Sequence, residues 1–537
     1  VRHAGTDIAQ ASRNDLGGGS SDDDHCTWPA QPAIRARAVT RVIRPVAPEV
    51  LAAAVAQNAR FAPSPARDAH IAALGRGAAA VVTGQQVGLF LGPLYTVYKA
   101  ASAVVVARRL AAETGAPVVP VFWLQTEDHD LAEIASCGVP GAAACEMLGV
   151  PVDLGNRISI AHCRLPAAIA ECLDRLGDAL GDGPSAQSHL GRLARHYRPG
   201  ASWAAAFAGV LAELFAPEGL VMIDPRDPDD AALAALAAPI HARAIDAAQP
   251  IAEAMAARCI ELAAAGAKVP VHVRPGAPLS FFHPDGPLGP RVRLEPAAGG
   301  AFAEVGSGRV HERSALHAAL SADPRRFSTS ALLRPIVQDT LLPTVAYVGG
   351  PSEVAYFAQL GPLYRAFDMT PPFAVPRARF RVTDARTRRL LDRLGLAPRD
   401  AELAESELLA RLCAPGPDSA EISRRLLDPF VAAHGELAAQ LGDAGTEVAR
   451  ALAKTRGSVE RAVGKLASRV ERTRRYADAE RVDAVRRLRA MLVPDGAPQE
   501  RVLGLAGLAA RVGDRNLIEQ VLAAIDPYDA TLVELAV

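Results

Sequence analysis

Four ionisable residues stand in a row at Glu127-Asp128-His129-Asp130, with Glu133 three positions on, just after the apolar run Pro117 to Leu124. Such groups are costly to bury unpaired, so the end of a strand facing a cleft is where they are solvated or used. An imidazole among carboxylates can serve as a general base. The carboxylates can hold an amino group or a Mg2+ ion. A helix N-cap with a solvated first turn is the plainer reading; it suits Asp130 and Glu133 better than Asp128 and His129.

Three further stretches carry chemistry. Thr83 to Lys99 reads TGQQVGLFLGPLYTVYK. Gly84, Gly88 and Gly92 remove side chains where a phosphate could approach, and Gln85 and Gln86 both donate and accept hydrogen bonds. The spacing matches neither a Walker A loop nor the dinucleotide fingerprint. A turn whose glycines serve packing is the alternative. Leu332 to Tyr356 holds Arg334, a carboxylate or phosphate clamp by type. The same stretch contains Gln338, Tyr347, Gly349-Gly350, where a ligand could approach the backbone, and Glu353. For Tyr347 and Tyr356 ordinary half-buried aromatics is the plain reading. Finally, Arg377 and Arg379 could stabilise a polyphosphate or simply solvate a linker.

The elements that must position these residues follow from hydrophobic patterning. Ala78 to Val82 is a short apolar run ending in Thr83-Gly84, a helix-length segment runs from about Pro93 to Glu113, and Pro117 to Leu124 is apolar again. Strand, helix and strand make a βαβ unit, and hence a parallel sheet buried on both faces. Gly219 to Pro225 and Leu341 to Gly350 read as further core strands. The predicted fold class is therefore α/β. We expect a mobile leader over 1–40, the first half of the core over 41–135 and an insertion over 136–205. The second half follows over 206–383, with a Pro/Gly-rich insertion near 265–320, and then a helical tail over 384–537. In that tail Leu441, Val448, Leu452, Val459, Val463, Leu466 and Val470 fall at steps of 3, 4 or 7, the signature of a coiled coil. Gly442, Gly445, Gly457 and Gly464 weaken a lone helix. A partner helix is needed, either from the same chain or from a second copy.

Bulk composition narrows the function classes. At 537 residues the chain needs more than one core. A formal net charge of -1 argues against a broad electrostatic grip on nucleic acid or an acidic membrane. No apolar run reaches the roughly 20 residues of a membrane span, and no signal-peptide core is seen. Seven scattered cysteines without a CxxC pair fit reduced thiols, so a cytoplasmic location is expected.

Taken in order and spacing, TGQQVGLFLGPLYTVYK, EDHDLAEI, LLRPIVQDTLLPTVAYVGGPSEVAYFAQL and Pro498-Gln499-Glu500-Arg501 resemble the bacterial family of cysteine ligases of bacillithiol synthesis, from about residue 75 to 510. The resemblance implies a Rossmann-like core akin to class I nucleotidyltransferases and aminoacyl-tRNA synthetases, with two connecting insertions and a C-terminal coiled coil that forms a homodimer. It implies that cysteine is joined through its carboxyl group to the amine of glucosaminyl-malate. ATP, with Mg2+ as counter-ion, is the expected activator; no protein-held metal is expected. On this footing the Gly84 to Gly92 loop and Lys99 face a nucleotide or the sugar-malate anion. Asp128 and His129 orient and deprotonate the amine, while Arg334 and Arg377 offset negative charge. Clear HIGH and KMSKS signatures are absent, and Arg379 stands where a polar uncharged residue is expected. Two other readings are a nucleotide-binding dimeric scaffold without catalysis and a nucleotidyltransferase with another acceptor.

Overall fold

The computed structural model describes residues 28–141, 144–153, 157–413, 416–442 and 445–537. Period-2 alternation in an all-apolar strand organises the core. In β1 (Ala79–Gln85) Ala80 and Val82 face one side of a sheet, and Ala79 and Val81 the other. Helices cover both sides, as a parallel sheet requires. On the second side, α1 (Tyr95–Thr114) packs Val106 and Leu110 against Ala79 and Val81. Gly115 ends α1 with φ 68°, a left-handed turn that favours glycine. All seven residues of β2 (Val118–Leu124) are buried, and β3 (Val221–Ile223) follows beside it. On the first side α2 (Arg334–Leu341) contributes Ile336 and Leu341 to the cluster around Ala80 and Val82. The chain then enters β4 (Thr344–Gly349), α3 (Pro351–Phe357) and β5 (Phe373–Pro376).

The strand order is β5-β4-β1-β2-β3, every pair parallel, with Val82 opposite Val121 on one side and Tyr347 on the other. The chain begins in the middle, builds outwards through β3, and crosses back to lay β4 on the opposite side of β1. Between β1 and β4 the connections part in opposite directions and leave a crevice at the carboxyl ends. This is the predicted Rossmann-like α/β sheet. The Pro/Gly-rich insertion forms an antiparallel sheet ordered Phe327–Thr329, Ser280–Phe282, Val292–Pro296, Phe302–Glu304, Val310–His311. Its last strand carries it past residue 320, because Phe327–Thr329 pairs with Ser280–Phe282.

Two compact units divide the chain. One comprises the residues up to Pro140, Glu146–Asp384 and Gln499–Val537; the other is Ala385–Pro498 with Gly141–Cys145. The tail expected over 384–537 therefore ends early. Residues 499–537 return to the first unit, where Leu532–Ala536 pairs in parallel with Arg379–Thr383. The mobile leader expected over 1–40 needs a similar correction. Residues 1–27 lie outside the described residues, but Pro32–Val42 is a helix whose buried Arg35 pairs with Glu113 at 2.7 Å.

In the second unit α4 (Ser419–Leu441) and α5 (Thr446–Arg475) form an antiparallel hairpin. His434 Nε2 lies 3.0 Å from the Leu452 carbonyl, and Arg474 Nη1 donates to the Pro417 carbonyl at 2.9 Å. Gly442 and Gly445, expected to weaken one long helix, instead flank the reversal with φ 53° and 88°. The partner helix thus comes from the same chain.

Candidate functional site

At the carboxyl ends of β1, β2, β4 and β5 lies a cavity of about 500 Å3, a volume suited to a small-molecule ligand. The turn after β2 presents Gln125, Glu127, Asp128 and His129; the end of β1 and α1 present Gln85, Tyr95 and Lys99. Arg334 opens α2, Gly350 to Glu353 follow β4, and Arg377 follows β5. Phe281, Arg291 and Thr329 come from the antiparallel insertion, and Arg501 from the chain's last segment.

Asp128 is heavily engaged and yet partly open. Its Oδ1 accepts from the His129 backbone N–H at 2.8 Å and from Arg291 Nη1 at 3.0 Å, and its Oδ2 from Gln86 Nε2 at 2.9 Å. Burial pushes its pKa up, but His129 and Arg291 outweigh burial and hold it well below the usual carboxylate range. Its side chain is still 35% exposed and lines the cavity. The His129 ring lies beside Arg291, 3.3 Å from Nδ1, and Arg157, 3.4 Å from Nε2. Glu127 is tied down: its carboxylate accepts from the Thr329 N–H at 3.0 Å and from the Thr329 hydroxyl. Asp130 caps the four-residue helix Leu131–Ile134 by accepting from Glu133 N, outside the cavity lining.

Across the cavity the cations divide into engaged and open. Lys99 Nζ donates to the Gly84 carbonyl at 2.9 Å and to Gln85 Oε1 at 2.8 Å, and pairs with Glu353. Glu353 also accepts from Tyr347 Oη and Gly350 N, both at 2.8 Å; burial pushes its pKa up, but Lys99 holds it below its ordinary value. Arg377 grips Glu500 with both Nη atoms, at 2.9 and 2.7 Å, and Arg379 reaches the same carboxylate at 3.4 Å. Its fork is taken, which contradicts a free polyphosphate clamp. Arg334 differs. It donates to Gln338 Oε1 at 2.7 Å and Tyr356 Oη at 2.6 Å and lies over the Tyr347 ring, yet no carboxylate pairs with it among the described residues. A buried guanidinium without a counter-ion is the natural seat for a ligand anion.

The structure does not bring every expected residue to the cavity. Gly84, Gln86, Gly88, Gly92, Gln338, Tyr347 and Gly349 lie outside its lining. For the glycines the reason is packing. A Cβ on Gly88 would sit 2.8 Å from Gly92 Cα, and one on Gly84 would sit 2.9 Å from the Trp123 carbonyl. The loop is folded on itself rather than open as a phosphate cradle. Gln86, Gln338 and Tyr347 act behind the lining, on Asp128, Arg334 and Glu353. Sequence reasoning missed Tyr95, Gln125, Phe281, Arg291 and Thr329. Arg291 could not have been found locally, because its partner Asp128 is 163 positions away. Arg501 stands in the short tail motif and had a signal.

The sheet order, the cavity at its reversal point and the separate helical hairpin define a Rossmann-like α/β protein with an appended coiled-coil unit. Known sequences agree. The profile described as "Bacillithiol biosynthesis BshC, N-terminal Rossmann-like domain" matches residues 34–378, and "Bacillithiol biosynthesis BshC, C-terminal coiled-coil domain" matches residues 382–533. The chain belongs to this BshC family of ligases. Relatives named "Putative cysteine ligase BshC" include one from Salinibacter ruber, 36% identical over 70% of this chain and 67% of its own. One from Koribacter versatilis is 34% identical over 85% and 84%, and one from Solibacter usitatus 32% over 81% and 80%.

Proposed function

We propose that this protein joins L-cysteine, through its carboxyl group, to the amine of glucosaminyl-malate, the last step of bacillithiol synthesis, in the cytoplasm and as a homodimer. The observation that carries the reading is one cavity holding Asp128 beside His129 on one wall and, on another, an Arg334 with which no carboxylate among the described residues forms an ion pair. An amine and an anion can be held there together. A carboxylate held as low as Asp128 is a poor proton acceptor, but a good partner for an ammonium group. His129 is the neighbour able to take the proton that makes the amine nucleophilic. Arg334, with Arg501 at the rim, fits a carboxylate or phosphate.

Amide formation from a free carboxylate needs activation, and ATP with Mg2+ is the activator we propose. The folded-in glycine loop argues against a phosphate cradle between Gly84 and Gly92, so Arg334 and Arg501 are the residues that would hold its phosphates. The test supplies the purified protein with cysteine, glucosaminyl-malate and Mg·ATP and follows product by mass spectrometry. We expect bacillithiol and consumption of ATP with the wild type. Loss of about a hundredfold or more is expected for His129→Ala, the usual scale for a missing acid–base group. No product from folded protein with ATP unconsumed would overturn the reading in favour of a nucleotide-binding scaffold or another acceptor.

A further inference from the structure

The antiparallel insertion does more than border the cavity, because it grips the acidic turn after β2 at two points. One grip is Thr329 on Glu127, described above. The other is Arg291, only 5% exposed, with all three guanidinium nitrogens engaged. Nε donates to Ser328 Oγ at 3.2 Å, Nη2 to the Thr329 carbonyl at 2.5 Å, and Nη1 to Asp128 Oδ1 at 3.0 Å. The Phe281 ring lies 3.7 Å from its guanidinium carbon, closing that face. Ser328 is itself fixed, 3.1 Å from His283 Nε2, while His283 Nδ1 sits 3.0 Å from the Gly289 carbonyl. A carbonyl can only accept, so Nδ1 carries the proton and Nε2 accepts from the serine. The chain of bonds thus runs from Gly289 through His283 and Ser328 to Arg291 and ends on Asp128.

An arginine whose nitrogens all bond to protein is not free to clamp a substrate; it acts on what it holds. We propose that Arg291 is a positioning residue for the condensation, holding the Asp128 carboxylate through Oδ1 at the cavity wall where the incoming amine would pair with it. This rests on the role given to Asp128 and His129 above. The charged and titratable groups facing Asp128 are Glu127 and His129 on its own turn, Arg157 from the loop before Ile160, and Arg291 from the insertion. Gln86 on the β1 loop is neutral. Removing Arg291 takes away a close opposite charge while burial and Glu127 still favour the protonated acid and His129 still opposes them, so the balance moves toward protonation. The sign is definite: Asp128 should ionise at higher pH than in the wild type.

The experiment compares wild type, Arg291→Met and Arg291→Lys. It reads the Asp128 carboxyl by 13C NMR, assigned with Asp128→Asn, and kcat/KM across pH 5 to 9. Near-ultraviolet circular dichroism checks folding. We expect Asp128 in Arg291→Met to titrate about one pH unit or more above wild type, as loss of a close opposite charge does. Asp128 stays ionised near neutral pH in both proteins, so the loss of kcat/KM there, about tenfold, reads lost positioning and should be nearly flat from pH 6 to 9. Arg291→Lys keeps the charge without the fork and should fall between; it decides the matter should Arg291→Met not fold. An unmoved Asp128 titration, or kcat/KM unchanged in Arg291→Met, would overturn the proposal. Absence of product from wild type would instead defeat the functional reading, while the carboxyl titration would still decide the role of Arg291.

Discussion

Asp128 accepts hydrogen bonds from three directions and still faces the cavity, and that balance separates it from its neighbours Glu127 and Asp130. Its type and its place after a strand were readable from sequence. Its ionisation was not, because Gln86 and Arg291 reach it from 42 and 163 positions away. Asp224, passed over in the sequence, follows β3 and behaves oppositely. Burial raises its pKa to about 7, although the Thr126 hydroxyl and the Arg226 N–H favour its ionised form. A carboxyl whose folded pKa lies above its ordinary 3.8 contributes stability that is complete below about pH 4 and is lost as pH rises through 7. Asp224→Asn keeps the acceptor oxygen and removes the titration. Its urea midpoint should therefore gain on wild type between pH 4 and 8, and equal pH slopes for the two proteins would contradict this.

At the scale of elements, the loop between β1 and α1 and the junction after β5 set the cavity's shape. The loop reverses tightly: Phe90 and Leu91 take φ of 51° and 75°, and Gly88 packs on Gly92. Gly88→Ala should destabilise the protein by about 1–3 kcal/mol through this backbone clash. Chemical denaturation measures it, and a neutral result would mean the loop is looser than its contacts imply. After β5, Arg377 and Glu500 are each 3% exposed at the side chain and pair through both guanidinium ends. Removing Arg377 leaves the buried Glu500 with only Arg379 at 3.4 Å, so Arg377→Met should cost up to about 3 kcal/mol. The double change Arg377→Met with Glu500→Leu should recover much of that loss in a thermal melt. The strands and α1 were legible from period-2 and helical patterning. The sequence left the glycine loop open between two readings, because a ligand cradle and a self-packed turn ask for the same residue type.

For the whole molecule, the surface of the helical hairpin bears on whether copies associate. The α4–α5 hairpin leaves Leu426, Leu437, Leu441 and Leu466 between 42% and 49% exposed. Two helices satisfy only part of the heptad stripe, and exposed apolar rows of this kind promote association. We expect the protein to sediment as a dimer and Leu437→Glu with Leu466→Glu to give a folded monomer. A wild-type monomer at micromolar concentration would remove the hairpin from that role.

By itself the sequence determined the parallel sheet, the acidic turn at its carboxyl edge, the helical tail and the family, because these rest on local periodicity and contiguous motifs. Tertiary structure alone decided which side chains are free. It paired Arg377 with Glu500, engaged Lys99 with Glu353, placed Arg291 on Asp128 and left Arg334 with no carboxylate in direct contact among the described residues. The physical reason is that the availability of a charged group is set by its partners in space. Here those partners lie one to three hundred residues apart and meet only where β1, β2, β4, β5 and the insertion converge.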